Sequence, residues 1–122
     1  EDERDARDGE EHEVEAALKG RGFDTITLEG MSVDEQLDAV ASAEIIVMPI
    51  GGGSPVTMFA PLDCKIIELG FSDIIGVFAS ACWADVLGQS YARVNGAPGD
   101  QIGALHIDRD YAIDPEQVLA LL

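Results

Sequence analysis

Ile45-Ile46-Val47-Met48-Pro49-Ile50-Gly51-Gly52-Gly53-Ser54-Pro55 is the stretch that decides the fold. Ile45 to Met48 form the continuous apolar run expected of a parallel strand covered by helices on both faces, which has no solvent side for a polar residue. Pro49 stops the run, and after the glycines Ser54 and Pro55 suit the N-cap and first position of a short helix ending near Pro61. A strand that passes through glycine into a helix sits where open α/β sheets hold ligands. Glycine lets the backbone approach an anion closely, and the unpaired N–H groups of a helix start favour negative charge.

Downstream, Lys65 to Leu69 reads as the next strand, and Asp73 to Leu87 as a helix with Ile74, Phe78, Ala81 and Cys82 on one stripe and Gly88 as its stop. Tyr91 to Val94 is a further strand, Asn95 to Asp100 a Gly/Pro-rich loop, and Ala104 to Ile107 a short last strand. Asp114 caps a final helix with Pro115 at its first position, packed through Val118, Leu119 and Leu122.

Upstream, Ser32 and Glu35 form a capping box, in which the hydroxyl accepts from a first-turn amide and the carboxylate reaches back to the cap amide. Val33, Leu37, Val40 and Ala41 give that helix its apolar stripe. Thr25 to Glu29 alternates as a strand buried on one face, and Glu10 to Lys19 is a helix carrying Val14, Ala17 and Leu18, ended by Gly20 and Gly22. The alternation of helix and strand predicts right-handed crossovers and an α/β, Rossmann-like, mostly parallel sheet with helices on both faces. Residues 1–9 form an acidic arm and residues 10–122 a single domain. The chain opens on Glu1 with neither an initiator methionine nor a secretory pattern, as a fragment or processed piece would.

The 24 carboxylates against 7 basic residues give a net charge of −17. Nucleic acid and anionic membranes need clustered Lys or Arg and are poor partners for such a chain. The acidity suits either a solvated surface or a salty cytoplasm whose ions screen self-repulsion. No apolar run approaches the ~20 residues of a transmembrane helix. Cys64 and Cys82 lack metal-ligand spacing, so both are expected to be buried and reduced, with no zinc or disulfide framework.

Known catalytic patterns fail at specific positions. Val56 stands where a complete GxGxxG or a nucleophile elbow needs glycine, and no Gly-Lys-Ser/Thr follows to make a P-loop. His12 lies on the charged first helix and His106 in a strand near Asp108, so neither has a positioned base and orienter. Asp108-Arg109-Asp110 lacks the later ligands and glycine of a calcium loop. A receiver domain needs a phosphoacceptor Asp at a strand end, and the strand ends are Glu29, Met48 and Leu69.

Several residues together resemble the C-terminal half of glycosyltransferase family 61, which includes capsular polysaccharide biosynthesis proteins. They are Arg4 and Arg7, Glu11 to Glu13, Gly22-Phe23 before a strand, Leu28-Glu29, Ser32 to Gln36 as a helix start, and Ala43 ahead of the apolar strand. The family's glycine loop, H-G-A-G-L-T-N, falls on Ile50 to Val56 without a gap. Phe59, Lys65 to Leu69, Tyr91 and the Asp114 helix follow at the family's spacing. Ile50 replaces the loop His and Pro55-Val56 the Thr-Asn pair, so the polar contacts those residues make are missing here.

The resemblance implies one half of a two-domain, GT-B-like inverting glycosyltransferase of polysaccharide biosynthesis, cytoplasmic and free of metal and cofactor. Its partner would be a nucleotide sugar, a uridine-diphosphate sugar, with the acceptor-binding half supplied by an N-terminal region absent from this sequence. Gly51, Gly52, Gly53 and Ser54 would hold the diphosphate, and Glu68 would accept hydrogen bonds from ribose or uracil. Glu68 as a mere exposed strand-end carboxylate is the competing expectation. The replacement at Ile50 favours a second reading, a catalytically inactive binding or interaction module on the same fold.

Overall fold

The computed structural model describes residues 13–49, 54–71, 79–101 and 109–122. The acidic arm, His12, Ile50, Gly51 to Gly53, the first turns of the helix expected from Asp73, the strand expected at Ala104 to Ile107, and His106 therefore lie outside the described residues. In chain order the elements are α1 (13–19), α2 (Val33–Val40), β1 (Ile45–Pro49), a 3-10 helix (Ser54–Phe59), β2 (Lys65–Phe71), α3 (Ala79–Leu87), β3 (Ser90–Gln101), β4 (Arg109–Ala112) and α4 (Pro115–Leu119). The result is a small α/β fold whose strands run in the order β1-β2-β3-β4, the first three parallel and β4 antiparallel to β3.

The chain divides into two compact units. One, made of Ile26–Leu69 and Gly76–Arg93, holds α2, β1, the 3-10 helix, α3 and the start of β3. Its core is Val40, Val56, Ala60, Cys64 and Ile66, with Leu28, Ala43, Ile46 and Tyr91 packed around them. Ser32 starts α2 as its residue type predicts: its hydroxyl accepts from the Glu35 amide at 3.1 Å. The same hydroxyl donates to the Glu35 carboxylate at 3.1 Å, so the box closes side chain to side chain.

β1 and β2 pair from Ile45↔Lys65 through Pro49↔Leu69. β1 ends the strand order, so Ile45, Ile46 and Val47 are only half-buried and the expected two-sided cover falls on β2 instead. There Ile66 and Ile67 are fully buried. The strand expected at Thr25 to Glu29 is absent. Its alternation offers two apolar side chains; Leu28 packs on the core while Ile26 stays 51% exposed, and residues 23–28 join no ladder.

The other unit comprises Glu1–Thr25, Gly70–Ile75 and Val94–Leu122. In α1, Val14 and Leu18 are buried, and Gly22, with φ of 89°, turns the chain so that the Phe23 amide reaches the Leu18 carbonyl. Asn95 to Asp100, expected to be a loop, belongs to β3. Two features reconcile its composition with a strand. Pro98 sits where the pairing with β4 shifts register, and Gly96 lies so close to β4 that a Cβ there would run into the Ala112 carbonyl. Asp114 caps α4 by accepting from the Glu116 amide at 3.0 Å, with Pro115 at the first position and Val118 buried.

The burial of α3 corrects a further expectation. Ser80 and Ala84 are buried among its described side chains, and Cys82, expected in the core, is exposed. Every residue of α3 but Ser80 and Asp85 is apolar, so periodicity alone cannot set which face turns inward.

Candidate functional site

The candidate site begins where β1 and β2 run side by side. Met48 and Glu68 are register partners, and β1 ends one residue later, at Pro49. Glu68 therefore lies beside the strand end that leads into the glycine loop, on the edge of a parallel pair where such folds present ligand-binding groups. Gly51, Gly52 and Gly53 lie outside the described residues, as does the Ser54 side chain; the Ser54 backbone opens the 3-10 helix.

Glu68 is not an exposed strand-end acid, because β2 continues to Phe71 and leaves its side chain only 1% exposed. Burying a carboxylate is costly unless it is hydrogen-bonded. The Tyr91 hydroxyl donates to Glu68 Oε1 at 2.7 Å, the short distance of a charge-assisted bond. Burial first, then the bond to Glu68, push the Tyr91 phenol well above its ordinary range.

The 3-10 helix is fixed from the side of α3. Gly88, with φ of 76°, ends α3 in the left-handed conformation, and the Gln89 amide returns to the Ala84 carbonyl at 2.9 Å. That turn delivers a buried Gln89 side chain, whose Nε2 donates to the carbonyls of Thr57 at 3.0 Å and Ala60 at 3.5 Å. The Trp83 indole N–H donates to Thr57 Oγ1 at 3.1 Å. Thr57, fully buried one position after Val56, is thus gripped through both its backbone and its hydroxyl.

Positive charge is scarce around these groups. No Lys or Arg occurs between Arg21 and Lys65, and Lys65 and Arg93 are the only ones in the unit that holds the 3-10 helix. Among the described residues, no group of three or more His, Cys, Asp or Glu could hold a metal ion.

The family model described as Glycosyltransferase 61 matches residues 3–67, just over half of the chain. The chain belongs to the glycosyltransferase 61 family. The span matched to glycosyltransferase 61 runs through α2, β1, the loop positions and the 3-10 helix, and stops one residue short of Glu68. No curated protein and no solved structure shows significant similarity to the chain. Among the described residues of this glycosyltransferase 61 chain, no helix is long and apolar enough to cross a membrane.

Of the residues expected at the site, Glu68 is thus placed beside the loop's origin, and Gly51 to Ser54 are met only at the Ser54 backbone. Thr57, Trp83 and Gln89 escaped sequence reading. The available signals were a helix-ending glycine followed directly by a long amide side chain, and a lone polar residue among Pro55, Val56, Met58 and Phe59.

Proposed function

We propose that this glycosyltransferase 61 chain is the donor-binding part of an inverting enzyme of polysaccharide biosynthesis. The donor is a nucleotide sugar carrying uridine diphosphate. Gly51, Gly52, Gly53 and Ser54 take the diphosphate through backbone amides, and Glu68 serves the ribose or uracil. The observation that carries this reading is the pairing of Met48 with Glu68, which sets that acid beside the strand leading into the glycine loop of a family whose members transfer sugars. Burial of Glu68 refines the role: Tyr91 already holds Oε1, so a donor group reaching this carboxylate must share it with the phenol. The acceptor side of a GT-B-like cleft comes from outside residues 10–122, which act as one cytoplasmic donor domain without metal or cofactor.

Transfer needs donor and acceptor held together in a water-poor cleft, so the isolated chain should bind uridine diphosphate weakly and transfer no sugar. Backbone amides alone support roughly millimolar to high-micromolar affinity. Chemical-shift mapping with uridine diphosphate tests the reading: shifts centred on Gly51 to Ser54 and around Glu68 support it. Silence at millimolar concentration supports the second reading, an inactive interaction module, which Ile50 favours because it removes the polar side chain the family carries at that loop position. Turnover of a nucleotide sugar by this chain alone would refute the assignment as half an enzyme.

A further inference from the structure

We infer that Met58, Phe59 and Leu62 form a docking surface for a basic, amphipathic polypeptide segment, one that sets apolar side chains between Lys or Arg residues. The inference goes beyond the donor-binding reading and does not depend on it. From Pro55 to Leu62 the only polar residue is Thr57, and it is fully buried, whereas Phe59 and Leu62 are 62% and 61% exposed and Met58, next to Phe59, is exposed too. Polarity along this stretch is therefore inverted. The inward positions are taken: Val56 and Ala60 pack with Val40, Cys64 and Ile66, while Trp83 and Gln89 hold Thr57. With that side of the turn fixed, three large apolar side chains within five residues are left in water. Single exposed apolar residues are ordinary, but clustered ones mark a surface that another molecule covers. Met58 suits such a surface because its thioether is flexible and polarizable.

Charge decides what the covering molecule is. No Lys or Arg lies between Arg21 and Lys65, while Glu29, Asp34, Glu35, Asp38, Glu44 and Asp63, all in the unit that holds the 3-10 helix, are exposed. Asp63 directly follows Leu62, and α2, which packs on the 3-10 helix, carries Asp34, Glu35 and Asp38 together with an exposed Val33. A second copy of the chain would bring the same acids against this surface, and an anionic lipid or nucleic acid would be repelled. A basic segment gains twice: its apolar side chains cover Phe59 and Leu62, and its cations meet the carboxylates and the Phe59 ring.

The test uses the whole chain and three synthetic peptides, each about four helical turns long. One places leucines and lysines on opposite faces, one replaces its leucines by serine, and one replaces its lysines by glutamate. The leucine and lysine peptide should shift amides centred on Met58 to Asp63, and its affinity should fall about tenfold from low to high potassium chloride. Phe59→Ser and Leu62→Ser, which alter side chains already in water, should each weaken it about tenfold. Both control peptides should bind at least about tenfold more weakly. Equal binding of the serine control, or unchanged affinity in both variants, would mean that net charge alone attracts the peptide, and overturns the inference. No binding of the leucine and lysine peptide at roughly millimolar concentration overturns it as well. So does a dimer, seen by light scattering, that grows with added salt and disappears in Phe59→Ser, because the occupant is then a second copy. Should either variant fail to fold, the other variant and the three peptides decide.

Discussion

The Tyr91 hydroxyl stands 2.7 Å from Glu68 Oε1, joining the most buried acid among the described residues to a tyrosine in the next strand of the sheet. Tyr91→Phe removes that donor and leaves a carboxylate in the interior with one partner fewer. The cost should be about 1–3 kcal/mol of unfolding free energy. Urea denaturation at neutral pH measures it, and an unchanged midpoint would mean that the bond contributes nothing.

Burial of Tyr91, together with the same bond, has an alkaline signature. The folded state holds the Tyr91 proton above the ordinary phenol value of 10.0, so the unfolded chain gives up its proton first. Stability from the raised phenol is fully present below that value and is lost as pH climbs beyond it. Melting temperature should fall more steeply above pH 10 in the wild type than in Tyr91→Phe. Parallel curves would disprove the coupling.

The two thiols should differ sharply in reactivity. Cys82 is exposed, whereas Cys64 is fully buried and its thiol is raised above the usual range by burial and then by the neighbouring Asp63. A thiol reagent such as Ellman's should modify one cysteine quickly and the second only at the rate of unfolding. Cys82→Ser should abolish the fast phase, and a fast phase persisting in that variant would contradict the burial of Cys64.

Net charge of −17 should make stability depend on ionic strength. Added potassium chloride screens the mutual repulsion of the carboxylates, so melting temperature should rise from low to molar salt. A flat or falling curve would show that repulsion is not the dominant electrostatic contribution.

Gly96→Ala should be among the most damaging single-methyl additions, since the new Cβ meets the Ala112 carbonyl rather than a movable side chain. Overpacking of this kind costs about 1–3 kcal/mol. Amide exchange in β4 should accelerate more than in β1 or β2, and uniform acceleration would place the defect elsewhere.

Local chemistry made part of this fold readable in advance. Ser32 with Glu35, Asp114 with Pro115, and the run from Ile45 to Met48 each carry a residue type that suits one backbone environment, and α2, α4 and β1 follow. What failed depended on partners distant in sequence. Thr25 to Glu29 has strand-like alternation but gains no neighbouring strand. Asn95 to Asp100 has loop-like composition, yet Gly96 and Pro98 are there because β4 passes close by and slips register. Cys82 faces outward because α3 is apolar on nearly every side, leaving tertiary contacts to choose its face. At the candidate site, the glycine run and Glu68 stood out as residue types, whereas the grip of Trp83 and Gln89 on Thr57 spans 26 and 32 positions and leaves no local pattern.

The bare Cα hydrogens of Gly96 also act as a keyway. Ala97 faces Ala112 in the ladder, so the gap at Gly96 receives the carbonyl of one particular β4 residue. Sliding β4 by one position would turn its side chains to the opposite face. The alignment seen between β3 and β4 is in this way one that an absent methyl group makes room for.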